Sequence, residues 1–191
     1  IFESRIINNI YFDTVNMSNF SENIIGISNR SKIRIRWYGS TFGNVENPLL
    51  EIKFKKGLLG RKKKYPLKSF FLDENFNQKY IQNIFCKSKL PDNVDKNLRL
   101  LKISLLNNYK RKYFKSVDNK FRITIDSMMK YYKIGLINNT FINKIIDKEA
   151  IIMELKYNQN FDNQAMNITN GFPFRITKSS KYFNGIKKLY G

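Results

Sequence analysis

The run Lys32-Ile33-Arg34-Ile35-Arg36-Trp37 constrains this chain more than any other feature. Side chains two apart in a β-strand share a face, so Lys32, Arg34 and Arg36 point one way while Ile33, Ile35 and Trp37 point the other. The same division recurs downstream. Glu51, Lys53 and Lys55 oppose Leu50, Ile52 and Phe54, and Lys62 and Lys64 oppose Lys63 and Tyr65. Arg122, Thr124 and Asp126 oppose Phe121, Ile123 and Ile125, while Glu154 and Lys156 oppose Met153, Leu155 and Tyr157. A solvated sheet face would normally mix acids with bases, because like charges opposite one another destabilise a sheet. Here bases predominate. If the strands close into a barrel with this face inward, two cations about 6 Å apart repel by roughly 3 kcal/mol at an effective dielectric near 20. A polyanion inside would relieve that repulsion. An open, solvated face is the competing reading.

Seven segments read as strands: 6–12, 32–38, 49–56, 62–68, 109–116, 121–126 and 151–157. Turn chemistry at 57–60 and 117–119 joins neighbouring strands into two antiparallel hairpins. Residues 76–86 and 92–107 carry apolar side chains at helical spacing, and a last helix is expected over 180–189. Trp37, Tyr38, Phe70, Phe71, Ile81, Ile84, Leu98, Leu101 and Leu105 read as core or sheet-covering residues, and Cys86 as core. No Pro/Gly/Ser-rich linker or solenoid repeat divides the 191 residues, which points to one domain. The fold class expected is α+β, an antiparallel barrel or tunnel with flanking helices.

The partner is an anion. Thirty-five Lys and Arg against 15 Asp and Glu give +20 at pH 7, with no His. Heavy use of Lys, Asn and Ile together is also what an A/T-rich coding bias produces, but bias does not arrange cations at strand periodicity. The missing His excludes histidine-based general-base catalysis and histidine metal centres. A lone Cys86 cannot form an internal disulfide and fits a reducing, cytoplasmic location. No run approaches the roughly 20 apolar residues of a membrane-spanning helix, and the start lacks signal-peptide organisation.

Seven motifs in order resemble the VTC (vacuolar transporter chaperone) domain of polyphosphate polymerases, within the triphosphate tunnel superfamily. They are I-Y-F-D-T at 10–14, S-N-R-S-K-I-R-I-R-W-Y-G at 28–39, L-E-I-K at 50–53, Y-K-R-K-Y-F at 109–114, F-R-I-T-I-D at 121–126, M-E-L-K-Y at 153–157 and K-S-S-K-Y at 178–182. The resemblance implies a tunnel that holds ATP with a divalent metal, Mn²⁺ or Mg²⁺, and passes the γ-phosphoryl group to growing inorganic polyphosphate. It implies catalytic roles for Arg34, Arg36, Lys53, Arg111, Arg122 and Lys156, and substrate binding by Lys62, Lys64, Lys178, Ser180 and Lys181. Glu154 matches the metal-binding glutamate. The family pattern also has a basic strand and a helix before residue 6, so the chain is expected to be a single tunnel domain over 1–191 lacking that segment.

The chemistry of the residues agrees. Arg offers a fixed fork for phosphate oxygens, and Lys a mobile point charge. Transfer to a terminal phosphate needs no base, since the acceptor oxygen is already anionic. Alternatives stay open: a triphosphatase of the same fold, or a non-catalytic binder of polyphosphate, inositol phosphates or nucleic acid. The last draws only on the basic run 60–64, whose alternate residues already face the tunnel. Glu154 could instead form a salt bridge, and Ser179 or Ser180 could cap the last helix.

Overall fold

Period-two alternation builds one large antiparallel sheet. The computed structural model describes residues 3–56 and 59–191. In chain order the elements are β1 (Arg5–Asp13), α1 (Ser18–Ile25), β2 (Arg30–Tyr38), β3 (Gly43–Val45), β4 (Leu49–Lys56), β5 (Leu59–Pro66), β6 (Phe70–Leu72), α2 (Gln78–Lys87) and α3 (Asp92–Arg99). There follow β7 (Lys102–Lys115), β8 (Arg122–Tyr132), β9 (Lys144–Asp147), β10 (Ile152–Lys156), α4 (Asp162–Asn170) and α5 (Lys181–Tyr190).

The sheet order is β10-β8-β7-β1-β2-β4-β5, with β9 also paired to β8, while β3 and β6 form a separate ribbon. Register puts the alternating cations on one face. Lys32 lies opposite Lys53 and Arg34 opposite Glu51; Lys53 in turn lies opposite Lys62. On the other side of β1, Arg111 lies opposite Asp126, which lies opposite Ile152, and Glu154 lies opposite Thr124. The reverse face carries Ile33, Ile35, Trp37, Leu50 and Ile52, packed with Ile81, Ile84 and Phe85 of α2 and Val94 and Leu98 of α3. Burying this face supplies the main hydrophobic stabilisation.

On the cation-bearing face, Ile7, Tyr11, Leu105, Tyr109, Met129 and Tyr131 form a second apolar cluster under Tyr182 and Ile186 of α5. Gly185 makes this close approach possible: a Cβ there would lie 2.6 Å from Leu105 Cδ2 and from Tyr131 Cδ1. Buried Asp13 ties the layers together. Its Oδ1 accepts from the backbone N–H of Thr14 and Asn19, and its Oδ2 from Phe20 N–H and the Tyr182 hydroxyl.

A bulge divides β8. The β7 register shifts between Asn108 and Lys110, and Met128 sits at φ 54°. Before it β8 pairs with β10, and after it with β9. Bulges re-aim strands in this way.

The antiparallel α+β architecture matches expectation, with one difference: β5 and β10 do not pair with each other among the described residues. The sheet is a tunnel-like curl and not a closed barrel. The expected helix over 92–107 ends at Arg99, because the backbone from Lys102 to Arg111 pairs with β1. Leu101 and Leu105 continue a helical spacing, yet Leu105 belongs to a strand. Cys86 is exposed, as are Tyr38 and Phe71, since each sits on the solvent side of its element. Both hairpins form. The turn at 117–119 places Asn119 at φ 61° with its N–H on Ser116 O, whereas Gly57 of the other turn lies outside the described residues. No helix among the described residues is long and apolar enough to cross a membrane.

Candidate functional site: a basic cavity

The curl brings both sheet edges to one cavity of about 310 Å³. Its lining carries eight basic side chains, Lys32, Arg34, Arg36, Lys53, Lys62, Arg111, Lys156 and Lys181, against one carboxylate, Glu154. Strands β2, β4 and β5 supply the first five, β7 and β10 the next two, and the start of α5 the last.

Two further carboxylates lie beneath this lining, each clamped by cations. On one wall Glu51, 3% exposed, receives the Arg34 guanidinium at 2.9 and 2.7 Å on Oε2 and the Lys62 ammonium on Oε1, with Arg36 Nη1 at 3.7 Å. Burial alone would raise its pKa, but Arg34, then Arg36 and Lys62, hold it down at about 2. On the other wall Asp126, 1% exposed, accepts from Arg111 at 2.5 and 2.6 Å and pairs with Lys181 at 2.6 Å. Burial opposes its ionisation, and Arg111 and Lys181 outweigh burial to lower its pKa. Both carboxylates act as anchors that aim cations into the cavity.

Polar and aromatic groups complete the floor. Arg36 donates to Asn9 Oδ1 and to the Tyr109 hydroxyl, each at 3.0 Å, and Asn9 donates to Asn107 Oδ1 at 3.0 Å. The Lys181 ammonium and the Arg111 guanidinium both lie over the Tyr109 ring, 4.7 and 5.4 Å from its centre. Lys32 donates to Ser180 Oγ at 2.8 Å, and that oxygen also accepts from Phe183 N–H, capping α5. Ser180 therefore fills its expected cap position at the cavity edge, where the helix's unsatisfied N–H groups favour anions.

Two lysines are left without a carboxylate. Neither Lys32 nor Lys53 forms an ion pair among the described residues. Burial, followed by Arg30, Lys53 and Arg34, lowers Lys32 to about 8. Lys53 stays accessible to water in the cavity, but crowding by protein, then Arg34, Lys156 and Lys62, lowers it to about 8 as well. Such depression marks cations assembled without enough countercharge.

Of the residues expected to act together, Arg34, Arg36, Lys53, Lys62, Arg111, Glu154, Lys156, Ser180 and Lys181 line this one cavity. Arg122, Lys64 and Lys178 do not. Arg122 begins β8 and is exposed, Lys64 is exposed on β5, and Lys178 is exposed in the segment before α5, although Thr177 and Ser179 beside it are lining residues. Lys32 was legible in the alternation, yet family resemblance assigns it no role. Glu51 and Asp126 also fell on the correct face, but their clamping depends on cross-strand register. Tyr109 opens the motif at 109–114, but the resemblance assigns it no role.

A divalent ion has a narrow fit here. Among the described residues no three acidic or sulfur side chains gather as a metal site. Glu51 and Asp126 are saturated by cations, which leaves Glu154, half exposed and 3.3 Å from Lys156. One carboxylate suits Mg²⁺ or Mn²⁺ only as an ion that keeps its waters and arrives on phosphate oxygens.

A family model, VTC domain, matches residues 2–190. No curated protein matches the sequence. Two solved structures share the fold. A candidate adenylate cyclase from Bacillus halodurans is 14% identical, with a TM-score of 0.50 over 100% of this chain and 86% of its own. A candidate adenylyl cyclase from Hippeastrum, described as having a dominant triphosphatase activity, is 13% identical, with a TM-score of 0.50 over 96% of this chain and 83% of its own.

Proposed function

The chain belongs to the VTC domain family and has the triphosphate tunnel fold, and from that premise we propose that it is a polyphosphate polymerase domain using ATP. The observation carrying this reading is the cavity itself: eight cations, one lining carboxylate, and two more carboxylates already neutralised. That surplus suits a chain of phosphates. Arg34, Arg36 and Arg111, held by their carboxylate or hydroxyl partners, grip phosphate oxygens in fixed geometry. Lys53, Lys62 and Lys156 follow with mobile charge as the chain advances.

In the reaction a terminal oxyanion of the polyphosphate attacks the γ-phosphorus of ATP. A new P–O bond forms, the bond from the γ-phosphorus to the β,γ-bridging oxygen breaks, and ADP leaves with that electron pair. No proton need be removed from the acceptor, which fits a chain without His. The residues' work is alignment and neutralisation of charge on the transferring group. Arg122, Lys64 and Lys178, exposed outside the lining, would assist only at the cavity's approaches. A divalent ion bound with the nucleotide would neutralise charge and polarise the γ-phosphate, with Glu154 as its protein ligand.

The Hippeastrum neighbour's triphosphatase activity favours hydrolysis as a second reading. Water, unlike phosphate, needs a base, and Glu51 and Asp126 are occupied by cations. Incubation with γ-labelled ATP and Mn²⁺ separates the two. Label in a polymer together with ADP supports the polymerase; label released only as orthophosphate assigns a triphosphatase; unchanged ATP with retained polyphosphate binding leaves a passive module.

A further inference from the structure

The cation ladder on β2, β4 and β5 does not stop at the cavity. Register pairs Lys32 with Lys53 and Lys53 with Lys62, and two residues further along, on the same face, Arg30 with Lys55 and Lys55 with Gly60. Same-face rungs of a sheet are about 7 Å apart. Lys32, Lys53 and Lys62 line the cavity, and the same three lysines line a second, more open groove with Arg30, Lys55, Gly60 and Arg61. The two hollows are thus continuous through shared side chains.

The outer rung differs from the inner ones in two respects. Neither Arg30 nor Lys55 forms an ion pair among the described residues, whereas the Arg34 rung is neutralised by Glu51; Arg61, opposite Phe54 by register, joins the groove lining from the strand's other side. Gly60 has no side chain, and a Cβ there would meet only Phe54 O, at 3.9 Å, so the groove floor stays open where a third cation would otherwise stand.

From this continuity we infer that Arg30 and Lys55 continue the cavity as a track for an extended phosphate chain, engaged only by chains too long for the cavity. The inference rests on the polyphosphate reading of the cavity and deepens it, because it names the surface along which a chain longer than the cavity continues. A single-stranded nucleic acid would also meet positive charge here, but it needs successive aromatic platforms for its bases. Phe54 is the one aromatic ring in the groove. A bare phosphate chain asks for charge alone.

The double variant Arg30→Ala/Lys55→Ala tests the track. Both residues are away from the cavity lining, and Lys55 is exposed, so the fold should persist; thermal unfolding checks this, and Arg30→Lys/Lys55→Arg, which keeps the charge, should bind as wild type. Affinities for tripolyphosphate, long-chain polyphosphate and oligothymidylate are measured by calorimetry at several salt concentrations. Tripolyphosphate affinity should stay within about twofold, while long-chain affinity falls about tenfold at low salt and by less as screening increases. Equal losses for both phosphates, or none, would overturn the track and leave the cavity reading standing. Oligothymidylate binding more tightly than polyphosphate, and being lost in the same variant, would reassign the groove to nucleic acid. Failure of the wild type to bind either phosphate would remove the cavity reading and the track together.

Discussion

Replacing Glu51 by Gln should reveal what assembling so many cations costs. The carboxylate is 3% exposed and contacts Arg34, Arg36 and Lys62. Its pKa is lowered from 4.5 to about 2, which by proton linkage corresponds to about 3 kcal/mol of stability at neutral pH. The sign follows from proton binding. Between pH 4.5 and about 2 the unfolded chain binds the proton that the native carboxylate refuses, so this stability is present above that window and disappears as pH falls through it. Glu51→Gln should therefore lower the urea-unfolding free energy at pH 7 by about 3 kcal/mol, within the range for breaking a buried ion pair. It should also make the acid limb shallower, because the Glu51 share of it is gone and only carboxylates such as Asp126 still lose stability there. Tripolyphosphate should restore part of the loss by replacing the missing anion. A change below about 1 kcal/mol at pH 7 with an unaltered acid limb would refute the reasoning, since the three cations would then not depend on Glu51.

Glu154→Gln should retain or strengthen polyphosphate binding, because a repulsive charge leaves the cavity, while losing transfer from ATP; wild-type turnover with unchanged metal dependence would make Glu154 merely the partner of Lys156. Lys32 and Lys53, at about 8, should make tripolyphosphate affinity fall at least tenfold from pH 7 to 9 as their charges are lost, with proton uptake on binding near pH 8 seen by calorimetry in buffers of different ionisation enthalpy. The same two groups have native values below their unfolded value of 10.5, so between pH 8 and 10.5 they raise the stability of the empty protein even as affinity declines. Gly185→Ala should displace α5 from Leu105 and Tyr131, costing about 1–3 kcal/mol of overpacking partly offset by helix propensity. Because α5 carries Ser180 and Lys181 into the cavity, tripolyphosphate affinity should drop with it.

The faces of the strands were legible because period two is a local property: Lys32, Arg34 and Arg36 share a face whatever pairs with β2. Which cation meets which acid was not, because Glu51 meets Arg34 and Asp126 meets Arg111 only once register is fixed between β2 and β4 and between β7 and β8. The helical spacing of Leu98, Leu101 and Leu105 misled for the opposite reason. Apolar positions three and four apart also arise when a helix ends and a two-sided buried strand begins, and pairing with β1 decided between them. Helix α1 left little trace, having no buried residue of its own; its start is set by Asp13, a residue of the preceding strand. Tyr109 shares a face with Arg111 by the same alternation, but its place under Lys181 depends on where α5 packs, and no local pattern in the sequence shows that.

That a phosphate chain enters this cavity, and not some other basic surface, is tested most directly by a crystal structure with tripolyphosphate bound. The ligand is expected between the two walls, its oxygens within hydrogen-bond distance of Arg34, Lys53 and Arg111, with the Glu51 and Asp126 clamps intact beneath. Tripolyphosphate seated elsewhere on the surface, with the cavity holding only water at saturating ligand, would contradict the assignment.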